Sequence, residues 1–274
     1  MALPRYDGPP VISIEATGSD DIPPVARQRR RLESMLAGLT HEDWGSPSRC
    51  RGWTVKDVVA HLVGVNAFWQ ASVLAGMSGT PTRVLVHFDP VTTPALMVSQ
   101  MRELDSSAVL SRFVTSNDGF LGVLDALDDD GWAQLAETPP GHLPIRLLAH
   151  HALWDAWIHE RDIALPLGLL PPAEADEVRS SLRYVAALTS ALAMDGDMAR
   201  GVFAVDATDP ATRLVVEVGE SVVVRDDVAP PGAPCLCGEG VALVEGVSVR
   251  TPTPTPVPVA WQQLLGGLGR AFSP

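Results

Sequence analysis

Lysine is almost missing from this chain: Lys56 is the only one, and arginine supplies the remaining fixed positive charge. Cationic side chains are also outnumbered, 20 Lys and Arg against 33 Asp and Glu, for a formal net charge of −13. Nucleic acid and anionic membrane surfaces both demand a positive footprint, so neither is expected as a partner. Cysteine is scarce and odd in number, with Cys50, Cys235 and Cys237. No run of 18 or more apolar residues is free of charge, which predicts no membrane span. The first ten residues have no basic start leading into an apolar stretch, so no secretory signal is expected. Three thiols without such a signal make no disulfide framework. Together these absences predict a cytoplasmic protein. The arginine bias, with abundant Ala, Gly, Val and Pro, fits a GC-rich genome such as an actinobacterial one.

The thiols themselves attract bland readings. Cys235-Leu-Cys237 sits in a Pro/Gly-rich stretch without a second Cys or His pair and is taken as incidental. Cys50 reads as a small buried apolar residue in the turn before a helix rather than a reactive thiol.

What is present is a patterned chain of 274 residues, 46% apolar, enough for one large domain or two ordinary ones. Residues 1–21 read as an extended arm, with a short apolar alternation at Val11-Ile12-Ser13-Ile14. Helical periodicity runs from Pro23 to Leu39, with Arg27, Arg29, Arg30 and Arg31 assigned mostly to a solvated face. Thr40 to Trp53 reads as a loop. Thr54 is a good N-cap, with Asp57 three residues later, for a helix running to Ala75. Further helices are expected over Pro94–Leu127, interrupted near Ser116–Gly119, and over Pro144–Leu165 and Ala173–Met194. Beyond Arg200 the period changes to strands at Leu214–Val218 and Ser221–Arg225 around a Gly219-Glu220 turn. Pro230–Gly240 reads as a loop, Val241–Val249 as a strand, Thr251–Pro258 as an extended linker and Trp261–Phe272 as a short helix. The prediction is an all-helical domain over 22–198 followed by a smaller α+β domain over 199–274.

Chemistry concentrates in His151-Ala-Leu-Trp-Asp155-Ala-Trp-Ile-His159-Glu-Arg-Asp162. On a helix, Asp155 and His159 project from one face a turn apart. With His61 from the earlier helix they would make an N2O ligand set, suited to Zn²⁺ with an open position or to Ni²⁺, Fe²⁺ or Mn²⁺ with added waters. Spacing alone equally allows a solvated helical pair. His151 lies one turn before Asp155 and is a candidate outer hydrogen-bond partner of a ligand. Asp162 either orients His159 or pairs with an arginine such as Arg161. Trp44, Trp53, Trp154 and Trp157 read as core, His150 as structural, and His41, His87 and His142 carry no assignment.

Two separated segments carry a resemblance. Leu39-Thr-His-Glu-Asp-Trp44, then Pro47-Ser-Arg-Cys-Arg-Gly-Trp-Thr-Val-Lys-Asp-Val-Val-Ala-His61-Leu, and later Asp155-Ala-Trp-Ile-His159-Glu-Arg-Asp162, resemble the mycothiol-dependent maleylpyruvate isomerase family. That family belongs to the DinB-like metal-binding superfamily. The resemblance covers residues 22–198 well and 200–274 only loosely. It implies a four-helix bundle of up-down-down-up type, a divalent metal on His61, Asp155 and His159, and mycothiol as thiol cofactor. It implies a metal-dependent isomerase or thiol S-transferase acting on an unsaturated small molecule. The isomerase carries Glu where this chain has Asp155, and relies on a basic residue from its C-terminal domain, for which Arg213, Arg225 and Arg250 are available here. A thiol-independent lyase or cyclase remains open, as does a non-catalytic binding protein with a structural metal or none.

Overall fold

The computed structural model describes residues 4–15, 22–194, 200–257 and 259–272. The last residues of the expected arm and the expected division at residue 198 lie outside the described residues.

Helix α1 (Val25–Ala37) is followed by the short α2 (His41–Gly45), which occupies part of the expected loop. Helix α3 (Val55–Met77) starts with Thr54 and Asp57 in a reciprocal capping box, each satisfying a backbone N–H of the other. By length and composition α3 could cross a membrane, which the sequence reading does not anticipate. Half of that apolar window is buried inside the protein, and α3 also turns Asn66 and Ser72 inward. Its apolarity is that of a core helix.

Next come α4 (Thr92–Ser99) and α5 (Ser106–Asp125). The expected interruption at Ser116–Gly119 does not occur; the break falls between α4 and α5 instead. Asn117 is fully buried and bonds inward to Arg29, Asn66 and Glu33, so its polar side chain holds the helix rather than ending it. Gly119 leaves room for Gln70 of α3, whose amide would lie 2.7 Å from an added Cβ. The short α6 (Asp129–Ala133) leads into an unanticipated hairpin, β2 (Leu135–Thr138) and β3 (Gly141–Pro144). At Gly141, φ is +130° and the Arg5 backbone packs where a Cβ would stand, a place only glycine can occupy.

Helices α7 (Ile145–Ala164) and α8 (Ala175–Leu192) follow. Helix α7 packs on α1, α3 and α8, and α1 and α3 also pack on α5. Helix α8 is wedged between α7 and a sheet, which buries almost every residue from Glu177 onward. The sheet has five strands in the order β1-β6-β5-β4-β7: β1 (Ile12–Glu15), β4 (Gly201–Thr208), β5 (Ala211–Val218), β6 (Val222–Asp226) and β7 (Cys235–Gly238). The arm thus supplies β1, which pairs in parallel with β6. Strands β4 and β7 were not anticipated.

Val241–Val249 is not a strand but helix α9 (Gly240–Val247), capped by the Glu239 carboxylate on the Ala242 N–H. A short apolar run reads alike as a buried strand or a buried helix, and here the cap decides. Two short helices, α10 (Val259–Leu265) and α11 (Gly267–Phe272), end the description.

Candidate metal centre

Local chemistry places the first ligand candidate. The capping box starts α3 at a defined residue, and His61 falls two turns inside it, with its ring 5.3 Å from Trp53. On α7, Asp155 and His159 share a face, with Asp155 Oδ1 3.6 Å from His159 Nε2. Two ligands of one tetrahedral ion, each about 2.1 Å from it, are separated by roughly 3.4 Å. The His61 ring stands edge-on to His159 at 5.2 Å. Ligand-type atoms of all three residues lie within 4.8 Å of one another.

Hydrogen bonding tests the fit of a cation. His61 Nδ1 and Asp155 Oδ2 are buried and have no partner among the described residues. Leaving such atoms unsatisfied costs about 1–3 kcal/mol each, which an ion between them would offset. Burial, with His159 nearby, pushes His61 down to about 4, so its imidazole is neutral and free to donate an electron pair. The side chains of Asp155 and His159 retain 15% and 10% exposure, which opens the cluster to one side.

Below the trio sits a charged support. Asp162 Oδ2 lies 3.1 Å from His159 Nδ1. A proton on Nδ1 directed at this carboxylate leaves the Nε2 lone pair facing Asp155. Asp162 is gripped by Arg49 Nε at 3.1 Å and by Arg250 Nε and Nη2 at 3.0 Å. Burial would raise the Asp162 carboxyl, but His159 and Arg250 hold it well below the usual carboxylate range. Burial likewise opposes a charge on His159, yet Cys50, Asp155 and Asp162 keep its protonated form favoured well above the ordinary imidazole range. A divalent cation beside His159 Nε2 would answer the Asp155 carboxylate in the same way. Glu245 of α9 completes the support, accepting from Arg49 Nη1 at 3.0 Å and Arg161 Nε at 2.8 Å.

The predicted residues therefore separate. His61, Asp155 and His159 converge, and Asp162 orients His159 while pairing with Arg49 and Arg250 rather than Arg161. His151 has another partner: its Nδ1 meets the Tyr184 hydroxyl at 2.9 Å, inside a box of Trp69, Trp154 and Tyr184 rings. His150 Nδ1 meets Ser180 Oγ at 2.7 Å. Of Arg213, Arg225 and Arg250, the last alone reaches the cluster; Arg213 faces Asp206 and Arg225 faces Glu217 on the sheet.

Cys50 is more than a small apolar filler, since its Sγ lies 3.3 Å from Asp162 Oδ2 and 3.7 Å from His159 Nδ1. Cys50, His159 and Asp162 also form a ligand-type group, but two arginines on Asp162 make that side unfavourable for a cation. The arginines of α1 depart furthest from expectation. Arg29 is fully buried, bonded to Asn66, to Asn117 at 3.0 Å and to the Ala152 carbonyl at 3.3 Å. Burial lowers it to about 10, which leaves it cationic at neutral pH, with Asp155 and Glu33 favouring that charge. Arg31 bridges Glu160 and Glu177. No periodicity rule turns an arginine inward; here the buried amides of Asn66 and Asn117 are its partners. Two surface clefts, of about 450 and 490 Å³, lie elsewhere, by Glu220 and by Arg27, and neither is lined by the trio.

Comparison with known proteins adds the family. The model of the mycothiol maleylpyruvate isomerase N-terminal domain matches residues 25–164, about half of the chain. The crystal structure of the mycothiol-dependent maleylpyruvate isomerase superposes with a TM-score of 0.62 at 14% identity, covering 85% of this chain and 92% of that one. A histidine-to-alanine mutant of that isomerase gives 0.61 with the same identity and coverage. No curated protein matches by sequence. The fold is thus shared along most of both chains, and this chain belongs to the mycothiol maleylpyruvate isomerase N-terminal domain family.

Proposed function

We propose that the chain is a metal-dependent enzyme of the thiol-adding isomerase or S-transferase type, with His61, Asp155 and His159 as protein ligands of one divalent cation. The observation that carries this reading is the convergence of the three side chains around the unpartnered His61 Nδ1 and Asp155 Oδ2. We read α1, α3, α5 and α7 as the four helices of a DinB-like bundle of up-down-down-up type, a scaffold whose facing helices lend themselves to such sites. A divalent cation held there, zinc best suiting an N2O set and nickel, iron or manganese fitting with added waters, supplies a Lewis acid that stabilises a thiolate near neutral pH.

The chain's own residues do the rest. Asp155 brings one negative charge on a side chain a methylene shorter than glutamate, which draws the site toward α7. Asp162 fixes the His159 ring, and Arg250 and Arg49 fix Asp162. Arg250 spends Nε and Nη2 on Asp162, so it anchors the support rather than offering a free fork to substrate. A small molecule would approach from the partly exposed side of Asp155 and His159. With mycothiol as the thiol, addition to an unsaturated substrate followed by elimination gives an isomerase, and addition alone gives a transferase.

The test is metal analysis of the full chain purified without chelator, beside His61→Ala. The wild type should hold about one equivalent and the variant far less; equal contents would refute the site. Mycothiol should bind saturably to metal-replete protein and not to stripped protein, and an absence of binding at millimolar thiol would remove the thiol from the proposal.

A further inference from the structure

We propose that Cys235 and Cys237 form a redox-active dithiol on edge strand β7, which closes into an internal disulfide by exchange with a low-molecular-weight disulfide. The inference is independent of the metal centre. Residues two apart on a strand share a face: Leu236 enters the core at 3% exposure, while the two cysteines project together from the opposite face. Both are free thiols, and their Sγ atoms are 3.2 Å apart. Strand β7 ends the sheet, with β4 on one side only. On its other side Cys237 N–H donates to Thr255 Oγ1 at 3.1 Å, and that hydroxyl donates back to the Cys237 carbonyl.

Exposure orders the chemistry. Cys237 is exposed and Cys235 half-buried. Burial, with Cys237 and Asp206 nearby, pushes the Cys235 thiol up to about 12. Cys237, as thiolate, attacks one sulfur of the small disulfide RSSR; the S–S bond breaks, a mixed disulfide forms and RS⁻ leaves. Cys235 then gives its proton to solvent, and its sulfur attacks Cys237 Sγ and expels the second RS⁻. Two cysteine thiols are oxidised and one RSSR is reduced to two RSH.

Strand geometry makes the product labile. Residues i and i+2 of a strand have Cα atoms about 6.6 Å apart, near the upper end of the 4.4–6.8 Å that disulfides usually span. The bond must pucker β7, and strained disulfides are readily reduced.

The test incubates the full chain with excess oxidised glutathione, blocks remaining thiols with N-ethylmaleimide and maps tryptic peptides by mass spectrometry. Residues 226–250 form one peptide that contains both cysteines. It should lose both alkylation sites and the mass of two hydrogens, and regain both sites after dithiothreitol. Cys235→Ser should instead accumulate glutathione on Cys237. The proposal is overturned if both thiols stay alkylatable at equilibrium. It is equally overturned if wild-type Cys237 retains glutathione, or if the link forms to Cys50 or to a second chain.

Discussion

Asp162 lies fully buried beneath His159, its oxygens shared among the imidazole, the Cys50 thiol, Arg49 and Arg250. Its value to the proposed ligand set is geometric: it decides which imidazole nitrogen carries the proton. Asp162→Asn should weaken metal affinity about 10–100-fold, read by competition with a chromogenic chelator. Undiminished affinity would mean that His159 needs no such partner. His151 is set apart from this support, buried neutral against Tyr184, and burial pushes it down to about 4. A base whose folded pKa lies below its unfolded value takes up its proton more readily in the unfolded chain. Stability is therefore fully present above about 6.5 and falls as pH drops toward 4, by about 3 kcal/mol for this group. His151→Gln keeps a polar partner for Tyr184 without titrating, so its denaturation midpoint should fall less between pH 7 and pH 4.5. An identical fall would exclude His151 as a source of the acid sensitivity.

Among the elements, the turn after α9 stands out. Val249 has φ +62°, a left-handed conformation that a β-branched residue adopts only under constraint, and the next residue is Arg250. Relief of that strain is worth about 1–2 kcal/mol, offset in part by the unfolded-state freedom of glycine. Val249→Gly should thus raise the unfolding temperature by about 1–3 °C, and a lower value in calorimetry would show that the turn stores no strain. Elements became legible in the sequence where local rules and tertiary environment agree. Thr54 and Asp57 fix the start of α3, and helical spacing puts Asp155 beside His159. Legibility failed where the environment overrides the local rule. Asn117 breaks no helix because Arg29 is buried beneath it, Val241–Val247 coils because Glu239 caps it, and β7 forms in a Pro/Gly-rich stretch because β4 offers it an edge. Cys50 and Arg49 could not be placed at the site from sequence, since their partner Asp162 is more than a hundred residues away.

At the scale of the whole molecule, β1 belongs in space to the far end of the chain. Val11 and Ile12 are buried at 5% and 1% exposure in the core shared by α7, α8 and the sheet. Ile12→Ala should cost about 2–4 kcal/mol in chemical denaturation. A change below about 0.5 kcal/mol, the size of an ordinary surface substitution, would show that β1 is no part of the cooperative unit. Ile12 pairs with Val222, so β1 has no strand to pair with until some two hundred further residues have been made. At about 5–20 residues per second that interval lasts roughly 10–40 s. Throughout it an apolar strand stands without its neighbour while the helices between can already assemble. The newborn chain is therefore open to misassociation at β1, and anything that slows translation of the segment between β1 and β6 lengthens that exposure.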